Sequence, residues 1–227
     1  MTNLAGSENW ALSVQRALLQ PRPKWRGTSH TLAFFVSVPL AVVFVATRSS
    51  WSAAGVALIF AFGLSFMLGV STVVHWKVWT PEQYHRLFQL DHTGIFMTVW
   101  CSAAPIAAYG LGGRRGWILF AIMFVGSWFG IFIEWLPFNP PSGMVNTVFL
   151  GLGWAPLLMI GWLWTEMTPR TFWLLMIGGA IYTVGALIVG SQWPDPSPEI
   201  FGYHEIWHLL VILGAGLHYV MAWILVP

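Results

Sequence analysis

Long apolar runs, broken at short intervals by charges, proline or glycine, dominate the chain. Reading each run as one crossing predicts helices over roughly 30–47, 53–77, 89–109, 116–135, 142–165, 170–190 and 203–225, close to the ~20 residues that a ~30 Å hydrocarbon core demands. The breaks have local causes: Arg48 to Ser50, Thr80-Pro81-Glu82, Gly110 to Arg115, Asn139-Pro140-Pro141, and the proline-rich stretch from Trp193 to Pro198 before the last run. A membrane β-barrel would alternate polar and apolar residues instead. The expected fold is an all-α integral membrane protein, a seven-transmembrane helical bundle over residues 29–227. An interfacial arm, residues 1–28, precedes it. There Trp10, Val14 and Leu18, at i, i+4 and i+8, can lay a short helix on the membrane surface, and the pattern of a cleaved signal peptide is missing.

Composition supports the pattern. With 57% hydrophobic and 8% charged residues, most side chains must face lipid or one another, and a water-soluble fold is excluded. The net charge of +2 comes mainly from basic residues near the first helix, a topology signal rather than a nucleic-acid surface, so nucleic acid is not an expected partner. Arg16, Arg22, Lys24, Arg26, Lys77 and Arg86 fall on the amino-terminal side, against Arg48, Arg114, Arg115 and Arg170 opposite. This bias places the N-terminus in the cytoplasm and, after seven crossings, the C-terminus outside. Cys101 is the only cysteine, which rules out an intrachain disulfide and a cysteine-rich metal site. Any metal must use histidine and carboxylate.

In that topology the histidines gather at one end of the bundle. His30 opens the first helix, His75 closes the second, His85 lies in the following loop, His92 opens the third, and His204 and His208 open the seventh; only His218 sits deeper. Helix ends are where imidazoles sit by default, so spacing has to decide. His204 and His208 are four apart and share one helix face, the usual way for a helix to offer two imidazoles to one ion. Ionisable groups within a membrane are costly unless paired or ligating, and His75 and Asp91 reach a similar depth if the helix ends align. Three nitrogens with one open position describe a catalytic zinc site; magnesium or calcium would select oxygen ligands. Residues 204–208 also read His-Glu-Ile-Trp-His, the metalloprotease pattern in which the glutamate is the general base. The extended form of that motif needs Gly at position 211 and His at position 214, where Val211 and Gly214 stand. Asp91 also precedes the pair, where an intramembrane protease carries its aspartate after it.

Three segments carry a family resemblance: Ser71-Thr-Val-Val-His75, Leu90-Asp91-His92-Thr93-Gly94-Ile95, and Gly202-Tyr203-His204-Glu205-Ile206-Trp207-His208 running on to His218-Tyr219. In content, order and helix placement the chain resembles the hemolysin III family, the bacterial branch of the progestin and adipoQ receptor superfamily, itself related to alkaline ceramidases. Ser29-His30 resembles the family's opening dipeptide, so the likeness spans the bundle. It implies a multi-pass protein of the bacterial inner membrane with His75, His204 and His208 as zinc ligands. It further implies that Asp91 holds or activates the water on the metal and that Ser71 lies nearby. The alternatives for Asp91 are orienting a histidine or capping the third helix, and for Ser71 a bond to the carbonyl four residues back. His92 would donate a supporting hydrogen bond, His218 would be a satisfied core histidine, and Glu205, about 100° round the helix from the pair, would face water or a neighbouring helix.

Zinc on three imidazoles acidifies its water and polarises a carbonyl, the chemistry of amide or ester hydrolysis. A site at membrane depth selects an amphipathic lipid entering between helices, and the resemblance to ceramidases points to a lipid amide. Membrane lipids are therefore the expected partners. Two other classes compete: a receptor-like sensor of membrane lipid state with a zinc site, and a pore-forming hemolysin or channel. A pore needs a polar line through several helices, which the apolar stretches Trp117 to Ile133 and Leu174 to Ile188 do not offer. The expected order is hydrolase, then regulator, then channel.

Overall fold

The computed structural model describes residues 22–136 and 144–227, and among them every regular element is a helix. Seven helices are long and apolar enough to cross a membrane: α1 (Thr28–Ala46), α2 (Trp51–Trp76), α3 (Pro81–Leu111), α4 (Gly113–Glu134), α5 (Met144–Glu166), α6 (Pro169–Ser191) and α7 (Tyr203–Leu225). The surface segment around Trp10, Val14 and Leu18 and the Asn139-Pro140-Pro141 break lie outside the described residues. The exposed faces carry large apolar side chains such as Leu32, Phe35, Phe62, Phe132 and Leu187, as lipid-facing helices require.

The helix starts follow capping chemistry. The Ser50 hydroxyl accepts the Ala53 N–H at the head of α2, and Thr168 accepts the Thr171 N–H at the head of α6, with Pro169 at the first helical position. At α3 the cap overturns an expected boundary. The helix starts at Pro81 rather than near residue 89, because Thr80 and Gln83 form a reciprocal capping box and Pro81 has no N–H to leave unsatisfied. The extra turns carry Glu82, Gln83, His85 and Arg86, too polar to register as a membrane span. His85 therefore stands on α3, not in a loop, and His92 lies eleven residues into the helix instead of opening it. The other ends agree to within three residues. Two spans are also irregular inside. A π-helical turn over Ile106–Leu111 follows Pro105 in α3, and a 3₁₀ turn, Ala155–Met159, interrupts α5 at Pro156.

α2 lies along both α1 and α3, α6 along α7, and α1 also touches α7, so the first and last crossings are neighbours. One apolar core forms where α1, α2 and α7 meet, around Phe44, Phe60, Leu68 and Val211; a second joins α3 to α7 around Leu119, Met123, Leu163 and Met221. Small residues allow close contact. Three glycines of α6 face neighbouring helices: Gly178 lies against His218, Gly179 against Trp154 and Gly185 against Trp207. At the α3–α4 corner, a Cβ on Gly116 would stand 1.9 Å from the Ala107 carbonyl oxygen, a backbone atom that cannot rotate away. Gly151 on α5 has nothing within 4 Å of the same position. Gly116→Ala should therefore cost about 1–3 kcal/mol as an overpacking change. Gly151→Ala should stay within about 1 kcal/mol of wild type. Thermal unfolding of the detergent-purified variants checks the difference, and equal midpoints would refute it.

Candidate metal centre

The seventh helix supplies two of the converging groups in its first turns. His204 and His208 stand on one face, and His75, the second-last residue of α2, meets them from across the bundle. One ligand nitrogen from each of the three lies within 4.8 Å of the others. His75 Nε2 and His204 Nε2 are 3.3 Å apart. Two nitrogens bound at ~2.0–2.1 Å to one tetrahedral ion stand about 3.3 Å from each other, so this pair already has the separation that zinc requires. The ring centroids of His75 and His208 are 5.0 Å apart, and those of His204 and His208 4.5 Å. His208 is buried and its Nδ1 has no hydrogen-bond partner. Three imidazoles with no carboxylate between them form a donor set suited to zinc, and the residues present fit that ion.

A fourth histidine belongs to the cluster. The His30 ring stacks on the His208 ring, with centroids 3.8 Å apart and planes 7° from parallel, and His30 Nδ1 lies 2.8 Å from Ser71 Oγ. Ser71 is thus tied across to α1 rather than to the carbonyl one turn back, and it shares the wall of one cavity with Asp91. Asp91 does not cap α3, since Thr80 does. Asp91, Ser71, His30 and His208 line one end of a cavity of about 120 Å³ that continues into the bundle between apolar side chains such as Met67, Ile95 and Val211. The Ser29-His30 dipeptide takes part in the family resemblance but assigns His30 no place at the site. The available signal was its position at the same end as the other histidines, together with the adjacency of first and last helices.

Two further residues resolve differently from expectation. His92 turns away from the cluster: its Nδ1 is 3.0 Å from Glu134 Oε2, where it ties α3 to the end of α4. Glu205 faces neither water nor a neighbouring helix. It is 2% exposed, one oxygen pairing with Arg26 Nε at 2.5 Å and the other accepting the Gly202 N–H at 2.8 Å. Both oxygens are engaged, so the His-Glu-Ile-Trp-His segment does not present its glutamate as a free base. His218 is not a ligand of the cluster, as expected, but only one of its ring nitrogens is engaged, Nε2 at 3.2 Å from the Leu175 carbonyl oxygen, and the side chain lines the cavity instead of being closed within the core.

Arg26 belongs to a strap, residues 22–27, that crosses this end of the bundle. The Lys24 and Trp25 N–H groups bond the Glu199 and Ile200 carbonyls at 3.0 and 3.2 Å, and the Arg22 guanidinium donates to the His75 carbonyl. At Gly27 φ is +78°, and an added Cβ would stand 2.4 Å from His75 Cβ, so only glycine lets the strap pass this closely and turn into α1. The strap and the head of α7 are held together by the Arg26–Glu205 pair, with side chains 22% and 3% exposed.

A sequence profile described as "Haemolysin-III related" matches residues 20–219. Among individual proteins, the chain is 26% identical to "Hemolysin-3" of Bacillus cereus over 192 residues, covering 83% of this chain and 84% of the relative. It is 27% identical to the "Adiponectin receptor protein" of Drosophila melanogaster over 178 residues, 70% of this chain and 40% of that one. The human "Monocyte to macrophage differentiation factor" is 28% identical over 177 residues, 74% of this chain and 68% of the relative.

Removing Arg26 alone leaves a buried carboxylate without its partner. Arg26→Ala should destabilise the protein by about 2 kcal/mol, less than the ~3–5 kcal/mol of a fully buried pair because the arginine is partly exposed. Adding Glu205→Gln, which keeps an acceptor for Gly202, should recover part of that loss. A double-mutant cycle on thermal unfolding measures the coupling; strictly additive changes would show that the pair contributes nothing.

Proposed function

We propose, because this chain belongs to the haemolysin-III related family, that it is a seven-helix membrane hydrolase that uses zinc to cleave the amide bond of a lipid. The observation that carries the proposal is the convergence of His75, His204 and His208 beside an apolar cavity that His208 lines together with Asp91 and Ser71. The three imidazoles would hold the ion, each neutral and donating a ring nitrogen. Zinc held there supplies Lewis acidity, polarising a carbonyl oxygen and making water a nucleophile near neutral pH.

The chain's own groups carry the remaining tasks. The apolar walls take the acyl chain and hold the headgroup-proximal bond at the histidine end. Water is excluded along the rest of the cavity, which strengthens each polar contact at its mouth. Asp91 is the proton acceptor for the attacking water and returns the proton to the departing nitrogen. Ser71, bonded to His30, stands on the same cavity wall as Asp91 and would steady its carboxyl there. His30 in turn holds the His208 ring plane by stacking, so its task is orientation. Glu205 has no step in the reaction, being bound to Arg26 and Gly202.

Elemental analysis of detergent-purified protein should give near one zinc per chain, and His75→Ala, His204→Ala and His208→Ala should each lose it. Hydrolysis of fluorescent lipid amides should fall at least ~100-fold in Asp91→Asn with zinc retained, the scale of a lost general base. Metal-free wild type would remove the centre from the proposal. Zinc without turnover would assign the same centre to a regulator that uses the ion to fix one helix arrangement.

A further inference from the structure

The far part of the cavity is not uniformly apolar. His218 lies ten residues beyond His208 on α7, about 15 Å further along the helix axis, and lines the same cavity as Tyr182 of α6. The rings of Tyr182 and His218 meet edge to face with centroids 5.4 Å apart. Histidine within a membrane span is rare unless it has a task, and a tyrosine hydroxyl in the same place needs a partner too.

Both side chains are accommodated by glycine on the opposite helix. A Cβ on Gly178 would come within 2.5 Å of His218 Cδ2 and Nε2, and a Cβ on Gly214 within 3.0–3.1 Å of the outer edge of the Tyr182 ring. The helices α6 and α7 thus exchange a large polar residue for a glycine in each direction. A plain core contact would need neither the polar atoms nor the two glycines.

The hydrogen-bonding ledger shows what remains free. The Leu175 carbonyl can only accept, so His218 Nε2 carries the hydrogen and Nδ1 is left as an acceptor. Among the described residues no hydrogen bond engages Nδ1 or the Tyr182 hydroxyl. The neighbouring polar groups are already committed: the Trp154 indole donates to Thr183 Oγ1 at 2.9 Å, and that hydroxyl donates to the Gly179 carbonyl at 2.8 Å. One acceptor and one phenol that both donates and accepts match a hydroxyl group, which can donate to Nδ1 while accepting from Tyr182. A carbonyl would satisfy only the tyrosine.

We propose that Tyr182 and His218 form a second polar subsite of the cavity, which recognises a hydroxyl carried along the aliphatic chain of the ligand about 15 Å from the histidine cluster. This deepens the hydrolase reading by naming the ligand class, a hydroxylated long-chain amphiphile, and rests on that reading for the anchoring of the polar end at the histidines.

The test is binding of stearate and 12-hydroxystearate to the detergent-purified protein, followed by native mass spectrometry. Both are products rather than substrates of an amide hydrolase, so a protein without turnover still answers the question. The wild type should favour the hydroxylated acid over stearate by about three- to tenfold more than Tyr182→Phe does, the range for one net hydrogen bond. His218→Leu should lose the same preference. Tyr182→Phe removes a single oxygen and keeps the ring against Gly214, so it decides the matter even if His218→Leu does not fold. A ratio unchanged in Tyr182→Phe, or equal binding of the two acids by wild type, would overturn the subsite while leaving the metal centre and its hydrolysis standing.

Discussion

Hydrocarbon offers no hydrogen bonds, so every polar group drawn into this bundle has to be answered from within it. The site depends on that constraint. Four histidines, an aspartate and a serine converge at one end and are answered by one another in part: His30 by Ser71 and by stacking on His208, and His75 by His204, while His30 Nε2 and His208 Nδ1 stay without a hydrogen-bond partner. Outside the cluster His92 pairs with Glu134, and His218 uses one ring nitrogen on the Leu175 carbonyl. The same requirement explains two of the glycines: Gly178 and Gly214 make room for His218 and Tyr182 between α6 and α7.

The cluster is assembled from segments far apart in the chain, and its closure relies on the contact between the first and last helices. The strap before α1 runs beside the loop before α7 through backbone hydrogen bonds, and the Arg26–Glu205 pair locks the two. Because Glu205 also reaches back to the Gly202 N–H, one carboxylate both caps α7 and positions the strap. The histidines one residue before and three residues after it are therefore held at their base. His75 is held through its backbone by Arg22 and through its Cβ by the close passage of Gly27.

Most of the helices and the core of the site were legible in the sequence for physical reasons. Apolar runs of membrane length have few alternatives, and histidines four apart on a helix must share a face. What could not be read depends on partners distant in sequence. His30 gains its place by stacking on a residue 178 positions later, which no local pattern encodes. The early start of α3 was hidden because hydropathy marks the lipid-facing part of a helix, whereas the capping box of Thr80 and Gln83 marks where the backbone begins to turn. The burial of Glu205 was missed because a helical wheel gives direction but not what stands there; the strap's arginine fills that space.

The His-Glu-Ile-Trp-His segment shows how far a short motif carries on its own. Its two histidines share one helix face and converge with His75, because their relative placement follows from helix periodicity alone. Its glutamate does not take the role the pattern gives it, because a general base needs an oxygen free to face the attacking water, and here both oxygens are committed to Arg26 and Gly202. The carboxylate that lines the cavity beside His208 is Asp91, which comes from a different helix. In a bundle whose helices approach one site from several sides, the base need not come from the helix that supplies the ligands. The position beside a ligand histidine is then free to hold the helix end in place.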